Sequence, residues 1–308
     1  MSIPLRPAVL VLALILAGCG AHPAPTATDP TTSLAAEMPT AVLAANGPVT
    51  TGATILQAGD DPAPMACLGA VLESLPPQCE GPELVGLDWA SVPHEDSGDV
   101  RWTQHVQVTG TWDGTRLTLT EPLGTPPEAP PSPGLQPACE APAGGWASPD
   151  PDRATVEQLD AATRALADRD DVVRTYVTYF GEVAERMATD PEGLEASGTD
   201  ITPSTLLNVV VSGDAPAVEA DLRTRWGGAL CVVEGQGITE REAARVQDEI
   251  GTLAVPGLLG TSPGPDGVDV SVVFDDGSIQ RALDARYGAG TVRVDSALRP
   301  AGTSDPTG

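Results

Sequence analysis

The chain of 308 residues contains no lysine; its 16 basic residues are all arginine, set against 43 acids. A Gly-x-x-x-x-Gly-Lys phosphate loop is therefore excluded, because its lysine is what reaches the nucleotide phosphates. The formal net charge of −27 repels phosphate backbones and anionic headgroups, so no nucleic-acid partner is expected. Aromatic residues make up only 3% of the chain. Histidine occurs three times, as His22, His94 and His105, none of them close in sequence to Cys67, Cys79, Cys139 or Cys231, and there is no Cys-x-x-Cys pair. That excludes the common zinc and thiol-redox spacings. The N-terminal apolar run has ten residues, Ala8 to Ala17, where a membrane-spanning helix needs about 20.

What is present begins at the N-terminus. Arg6 precedes the apolar run, which ends in Leu16-Ala17-Gly18-Cys19. This resembles the lipobox of bacterial lipoproteins, in which small residues fit the signal peptidase and the cysteine thiol takes a lipid. The resemblance implies a signal peptide over residues 1–18, palmitate-type acyl chains on Cys19, and a location on the outer face of the cell membrane. Two or three acyl chains bury enough methylenes, at roughly 0.8 kcal/mol each, for stable anchoring. Residues 19–64 are rich in Ala, Thr and Pro without apolar periodicity and read as a disordered tether.

Apart from Cys19 the cysteines are Cys67, Cys79, Cys139 and Cys231. An even number in an exported chain points to two disulfides, with three connectivities open. Sequence proximity and the position of the domain boundary favour Cys67–Cys79 together with Cys139–Cys231.

The remainder reads as α+β. Residues 65–122 form a small β-rich unit, of the OB kind if its sheet closes. Its clearest element is the alternation from Val106 to Leu119 around Asp113-Gly114, a dipeptide suited to a two-residue hairpin turn. Such a turn sets Val108 opposite Leu119. Residues 123–151 are rich in proline and read as a stiff linker. Residues 152–300 read as an α/β sandwich, and residues 301–308 as a disordered tail. Val156 to Ala167 suits a helix, and Leu206 to Val211 a central strand. Thr239-Glu240-Arg241-Glu242 has the pattern of a capping box that opens a helix.

An internal repeat appears at an offset of 61 residues. Val209, Val211, Asp214, Val218, Leu222, Arg225, Trp226, Gly227 and Val233 match Val270, Val272, Asp275, Ile279, Leu283, Arg286, Tyr287, Gly288 and Val294. Each copy, over residues 205–234 and 266–295, reads strand, acid-capped helix, glycine stop, strand: a βαβ unit. Two such units around the helix at 239–250 predict one sheet covered by helices.

The run Cys67-Leu68-Gly69-Ala70-Val71-Leu72 and the segments Gly81-Pro82-Glu83-Leu84-Val85-Gly86-Leu87-Asp88-Trp89, Trp226-Gly227-Gly228-Ala229-Leu230-Cys231-Val232 and Arg286-Tyr287-Gly288 resemble uncharacterised secreted proteins of actinobacteria. The resemblance covers residues 65–122 and 205–300. It implies a lipoprotein from that source and carries no activity with it.

The chemistry-bearing residues are few. His94, Glu95, Asp96, Asp99 and His105 fit no standard metal spacing and read as a solvated loop. Asp266, Asp269, Asp275 and Asp276 form a second acidic group, with Asp275 or Asp276 as a helix cap. Trp89, Trp102 and Trp112 are candidates to line a binding groove, with a core role as the alternative. No metal or cofactor is expected. The sequence therefore points to a lipid-anchored cell-envelope protein acting as a non-enzymatic binding or structural module, with an envelope protein or small ligand as partner. A secreted hydrolase with an unrecognised site, and an inhibitor or chaperone-like partner of another exported protein, stand as alternatives.

Overall fold

The computed structural model describes residues 37–302, apart from 60, 62, 73 and 127–134. Cys19 and His22 lie outside the described residues, as do residues 1–18 and 303–308.

Strands β1 (Pro48–Gln57), β2 (Met65–Cys67), β3 (Glu83–Val85), β4 (Glu95–Ser97), β5 (Val100–Trp102), β6 (Val106–Trp112) and β7 (Arg116–Leu119) come first. Five of them close into a small barrel. The path runs β2-β3-β7-β6-β1, and β1 pairs back with β2. All neighbours are antiparallel except β3 and β7, which are parallel. β1 is the organising strand, and it corrects the reading of residues 19–64 as tether throughout. Along β1, Val49, Thr51, Ala53 and Ile55 point inward in strict alternation, the signature of a strand with one buried face. Upstream of it, Val42 and Ala45 already pack against the barrel core.

The hairpin between β6 and β7 also differs from expectation. Trp112 pairs with Leu117 and Gly110 with Leu119, so the loop spans four residues rather than two. Asp113 is the cause. Its carboxylate accepts the backbone N–H groups of Thr115 at 2.8 Å and Arg116 at 2.7 Å, which widens the turn. A slip of two residues leaves each side chain on its intended face. At the new partner position Gly110 is required, since a Cβ there would lie 2.3 Å from the Thr118 carbonyl oxygen.

The second half comprises α1 (Val156–Ala167), β8 (Val172–Tyr179), α2 (Gly181–Thr189), α3 (Pro191–Ala196), β9 (Thr205–Val211), α4 (Ala215–Arg225), β10 (Ala229–Glu234), α5 (Glu240–Thr252), β11 (Leu258–Pro263), β12 (Val268–Val272), α6 (Ser278–Tyr287), β13 (Val292–Ser296) and β14 (Arg299–Pro300). It contains two three-stranded sheets, β10-β9-β8 and β11-β12-β13, not one. In both, the first strand pairs antiparallel with the second and the second parallel with the third. Each unit is thus α-β-β-α-β. The helix at 239–250, expected to bridge the copies, is the opening helix of the second.

The caps explain why these helices start where they do. Asp214 accepts the Ala217 N–H at 3.0 Å, and Asp275 accepts those of Ile279 at 2.9 Å and Gln280 at 3.2 Å. Thr239 accepts the Glu242 N–H at 3.2 Å. Helices α1 and α4 bury Leu166, Val218, Leu222 and Trp226 against Leu207, Val209 and Val211 of the first sheet. Helices α5 and α6 bury Val246, Ile250, Ile279 and Leu283 against Val268, Val270 and Val272 of the second.

The proline-rich segment is not a free connector. Cys139 is joined to Cys231 on β10, with Cα atoms 5.9 Å apart, and Ala138, Cys139 and Trp146 cover the second face of β9 and β10. Asn208, fully buried there, accepts the Ala138 N–H at 2.9 Å and donates to Thr178 and the Leu206 carbonyl. Nor is the β-rich half separate from the α/β half. Phe274 and Leu298 of the second unit belong to the barrel core, and β14 pairs with β1.

Candidate functional site

The tryptophans do not form a groove. Trp102 and Trp112 are 7% and 4% exposed, which corrects the expectation that they line a surface site. Alternation along their strands turns both inward. Trp102 packs on Leu56 and Cys67, and the Trp112 indole N–H donates to the Leu43 carbonyl at 2.9 Å. Trp89 is half-buried on a 3₁₀ turn over Trp89–Ser91. Its N–H donates to Gln57 Oε1 at 2.6 Å, and the Arg101 guanidinium sits 5.6 Å from its ring centre. The indole N–H groups of Trp89 and Trp112 thus already have protein partners, as expected for structural tryptophans.

The acidic histidine loop is likewise spoken for. Asp96 pairs with Arg101 at 2.8 Å, Glu95 is bonded to Gln104, and His94 Nδ1 lies 2.8 Å from the Val92 carbonyl oxygen. Among the described residues no group of three or more His, Cys, Asp or Glu side chains is placed to hold a metal ion. The carboxylates whose pKa is displaced are all displaced downward. The Arg101 hydrogen bond lowers Asp96, the Arg116 and Thr115 N–H groups lower Asp113, and Glu157's own N–H and the Thr155 hydroxyl lower Glu157. Arg169 lowers Asp171, and the Ser278 hydroxyl and N–H lower Asp276. These are charges fixed in turns, caps and ion pairs.

One serine escaped the reading of the sequence. Gly260-Thr261-Ser262-Pro263-Gly264 has the Gly-x-Ser-x-Gly spacing. A nucleophile elbow needs a sharp strand-to-helix turn beneath its serine. Ser262 instead lies within β11, paired with Asp269 across a hairpin to β12. The spacing is present without the geometry.

The surface that does gather chemistry is a cleft of about 420 Å³ between the barrel wall and the second α/β sheet. β1 supplies Thr50, Thr51 and Gly52, the residue before β6 is His105, and β6 itself supplies Gln107. β12 supplies Ser271, β13 supplies Asp295 and Ser296, and β14 supplies Arg299. The pairing of Thr50 with Arg299 joins the two walls. Gly52 leaves room for the His105 ring, since a Cβ at that position would meet His105 Nε2 at 2.5 Å.

Polar groups in the cleft are pre-positioned by neighbours. Gln107 Nε2 donates to Thr50 Oγ1 at 3.1 Å, and Thr50 donates to the Val108 carbonyl at 3.2 Å. Ser296 Oγ accepts the Asp275 N–H at 2.8 Å, and Arg299 pairs with Asp295 at 3.1 Å. Leu68 and Leu259 add an apolar strip. The cleft therefore offers hydroxyls, an amide, an imidazole and one internally balanced ion pair. Of its residues the sequence had singled out only His105, and as a metal candidate.

The disulfides Cys67–Cys79, with Cα atoms 5.6 Å apart, and Cys139–Cys231 mark an extracytoplasmic protein. No helix among the described residues is long and apolar enough to cross a membrane. No protein-family model, curated protein or solved structure matches the chain.

Proposed function

We propose that this chain is a lipid-anchored binding module on the outer face of the cell membrane that holds a neutral, hydroxyl-rich ligand, about the size of a sugar unit, in the cleft between β1 and the second α/β sheet. The cleft itself carries this reading. Its volume falls within the roughly 300–1,000 Å³ usual for ligand sites. Its one cation, Arg299, is matched by Asp295, so a ligand charge of either sign gains little. Paired donors and acceptors beside an apolar strip suit hydroxyls on a carbon ring.

The scaffold supports the same reading. The closed five-stranded barrel with one parallel pair supports an OB-type reading, a frame that elsewhere carries oligosaccharide and oligonucleotide sites. The charge of −27 disfavours the oligonucleotide. Attachment through Cys19, on the lipobox resemblance, and membership of the actinobacterial secreted lipoproteins complete the proposal.

The test is calorimetric titration of the intact chain with glucose, N-acetylglucosamine and maltose. At least one should bind with a Kd of about 1 mM or tighter. Gln107→Ala and Asp295→Asn should each weaken it about tenfold or more, the loss of roughly one hydrogen bond to a charged or oriented partner. Absence of binding by all three, or binding that both variants leave intact, would refute the site.

A further inference from the structure

The disulfide-closed loop from Cys67 to Cys79 reaches the cleft only through Leu68, and its remainder presents a different chemistry. Val71, Leu72 and Leu75 are 38%, 58% and 79% exposed, and they make up half of the large hydrophobic side chains that stand exposed among the described residues. Apolar exposure concentrated in one short loop marks a contact surface more often than scattered single residues do. The loop's described residues are also held by internal bonds. The Cys67–Cys79 bridge closes it, the Leu72 N–H donates to the Gln78 carbonyl at 2.9 Å, and the Ser74 hydroxyl donates to the Pro76 carbonyl at 2.8 Å. A surface fixed before binding loses little entropy on docking. Beside it lies a trough of about 390 Å³ lined by Gly69, Ala70, Leu72, Glu80, Leu258 and Leu259. Glu80 is the one charged residue in that lining.

We propose that this loop and the neighbouring start of β11 dock an aliphatic, basic segment of another extracytoplasmic protein. Charge selects the occupant. The trough has a carboxylate and no cation, on a chain with 43 acids and 16 bases. A second copy of the chain brings the same excess of negative charge, and an anionic bilayer surface is repelled in the same way. A segment that places Leu or Val side chains against Leu72 and Leu75, with an arginine or lysine toward Glu80, meets both features.

The test uses the intact chain and short synthetic peptides. One alternates leucine with arginine, one serine with arginine, and one leucine with glutamate. The leucine–arginine peptide should bind at least about tenfold more tightly than either control. A Leu72→Ser, Leu75→Ser double variant should lose at least about tenfold of that affinity, the effect of keeping even one leucine side chain in water. Glu80→Gln should weaken the leucine–arginine peptide and leave the leucine–glutamate peptide unweakened. Neither leucine nor Glu80 lines the cleft, so titration with saccharides should be unchanged in these variants, and the same titration verifies that they remain folded. Equal binding of the two arginine peptides would reduce the attraction to net charge and overturn the proposal. So would affinity unchanged in the double variant, or binding of none of the peptides. Loss, in the double variant, of adsorption to phosphatidylcholine vesicles would reassign the loop to a membrane surface. Loss of a concentration-dependent dimer would reassign it to self-association.

Discussion

The two disulfides close loops of very different length, and that difference can be measured. Cys67 and Cys79 are 12 residues apart in sequence, Cys139 and Cys231 are 92 apart. Under the chain-entropy treatment the shorter bridge stabilises by about 2.8 kcal/mol and the longer by about 4.6 kcal/mol. The longer bridge also holds Ala138, Cys139 and Trp146 over the second face of β9 and β10. Its loss therefore loosens a packed layer in addition to enlarging the unfolded ensemble. Guanidinium unfolding, followed by tryptophan fluorescence, should show Cys139→Ala, Cys231→Ala less stable than Cys67→Ala, Cys79→Ala by about 2 kcal/mol or more. The shorter-loop variant should keep a native emission spectrum before the transition. If both pairs of substitutions cost the same, or the short loop costs more, the reasoning fails: loop length and the packed layer would then not set what each bridge contributes.

Asn208→Leu should cost about 1–3 kcal/mol, because the Ala138 N–H and the Thr178 hydroxyl lose a buried partner; an unchanged thermal midpoint would contradict this. Gly52→Ala should displace the exposed His105 ring, leave stability within about 0.5 kcal/mol, and reduce saccharide affinity in the cleft; unaltered affinity would remove His105 from the site. Asp171 is held below its ordinary value by the Arg169 guanidinium, to which it is bonded at 2.8 and 2.7 Å. Its stabilisation is therefore in place above the unfolded value of about 3.9 and is lost as pH falls through the lower folded value. Asp171→Asn should destabilise at neutral pH by up to about 1 kcal/mol, with the gap closing in acid; a gap that widens below about pH 4 would reverse the sign.

Much of the architecture was readable where the physics is local. Helix α1 was expected over the residues it occupies, because Leu159 and Leu166 stand among helix-forming alanines; the structure adds Thr155 as its cap. The repeat at an offset of 61 residues located β9-α4-β10 and β12-α6-β13, since Asp214 and Asp275 cap equivalent helices. It missed that each unit begins earlier, with α1-β8 and α5-β11. Helices α2 and α3 stand between β8 and β9, so no gap-free offset carries the match upstream. β1 went unseen for a compositional reason. Its alternation of Val49, Thr51, Ala53 and Ile55 lies beside a long stretch of Ala, Thr and Pro that averages it away. The cleft could not have been read from the chain at all. Thr50, His105, Ser271 and Asp295 come from the two halves of the chain, and only the β1–β14 pairing and the shared barrel core bring them to one place.

Central to the proposed function is a lipid on the Cys19 thiol, expected to tether the folded body outside the cell. Cells expressing the intact chain should be grown with an alkyne-bearing palmitate, fractionated, and the label read on the protein. The account predicts label on wild type in the membrane fraction, and an unlabelled, soluble product for Cys19→Ala. Label retained by Cys19→Ala, or wild-type protein that keeps residues 1–18 and carries an unmodified sulfur at Cys19, would contradict it.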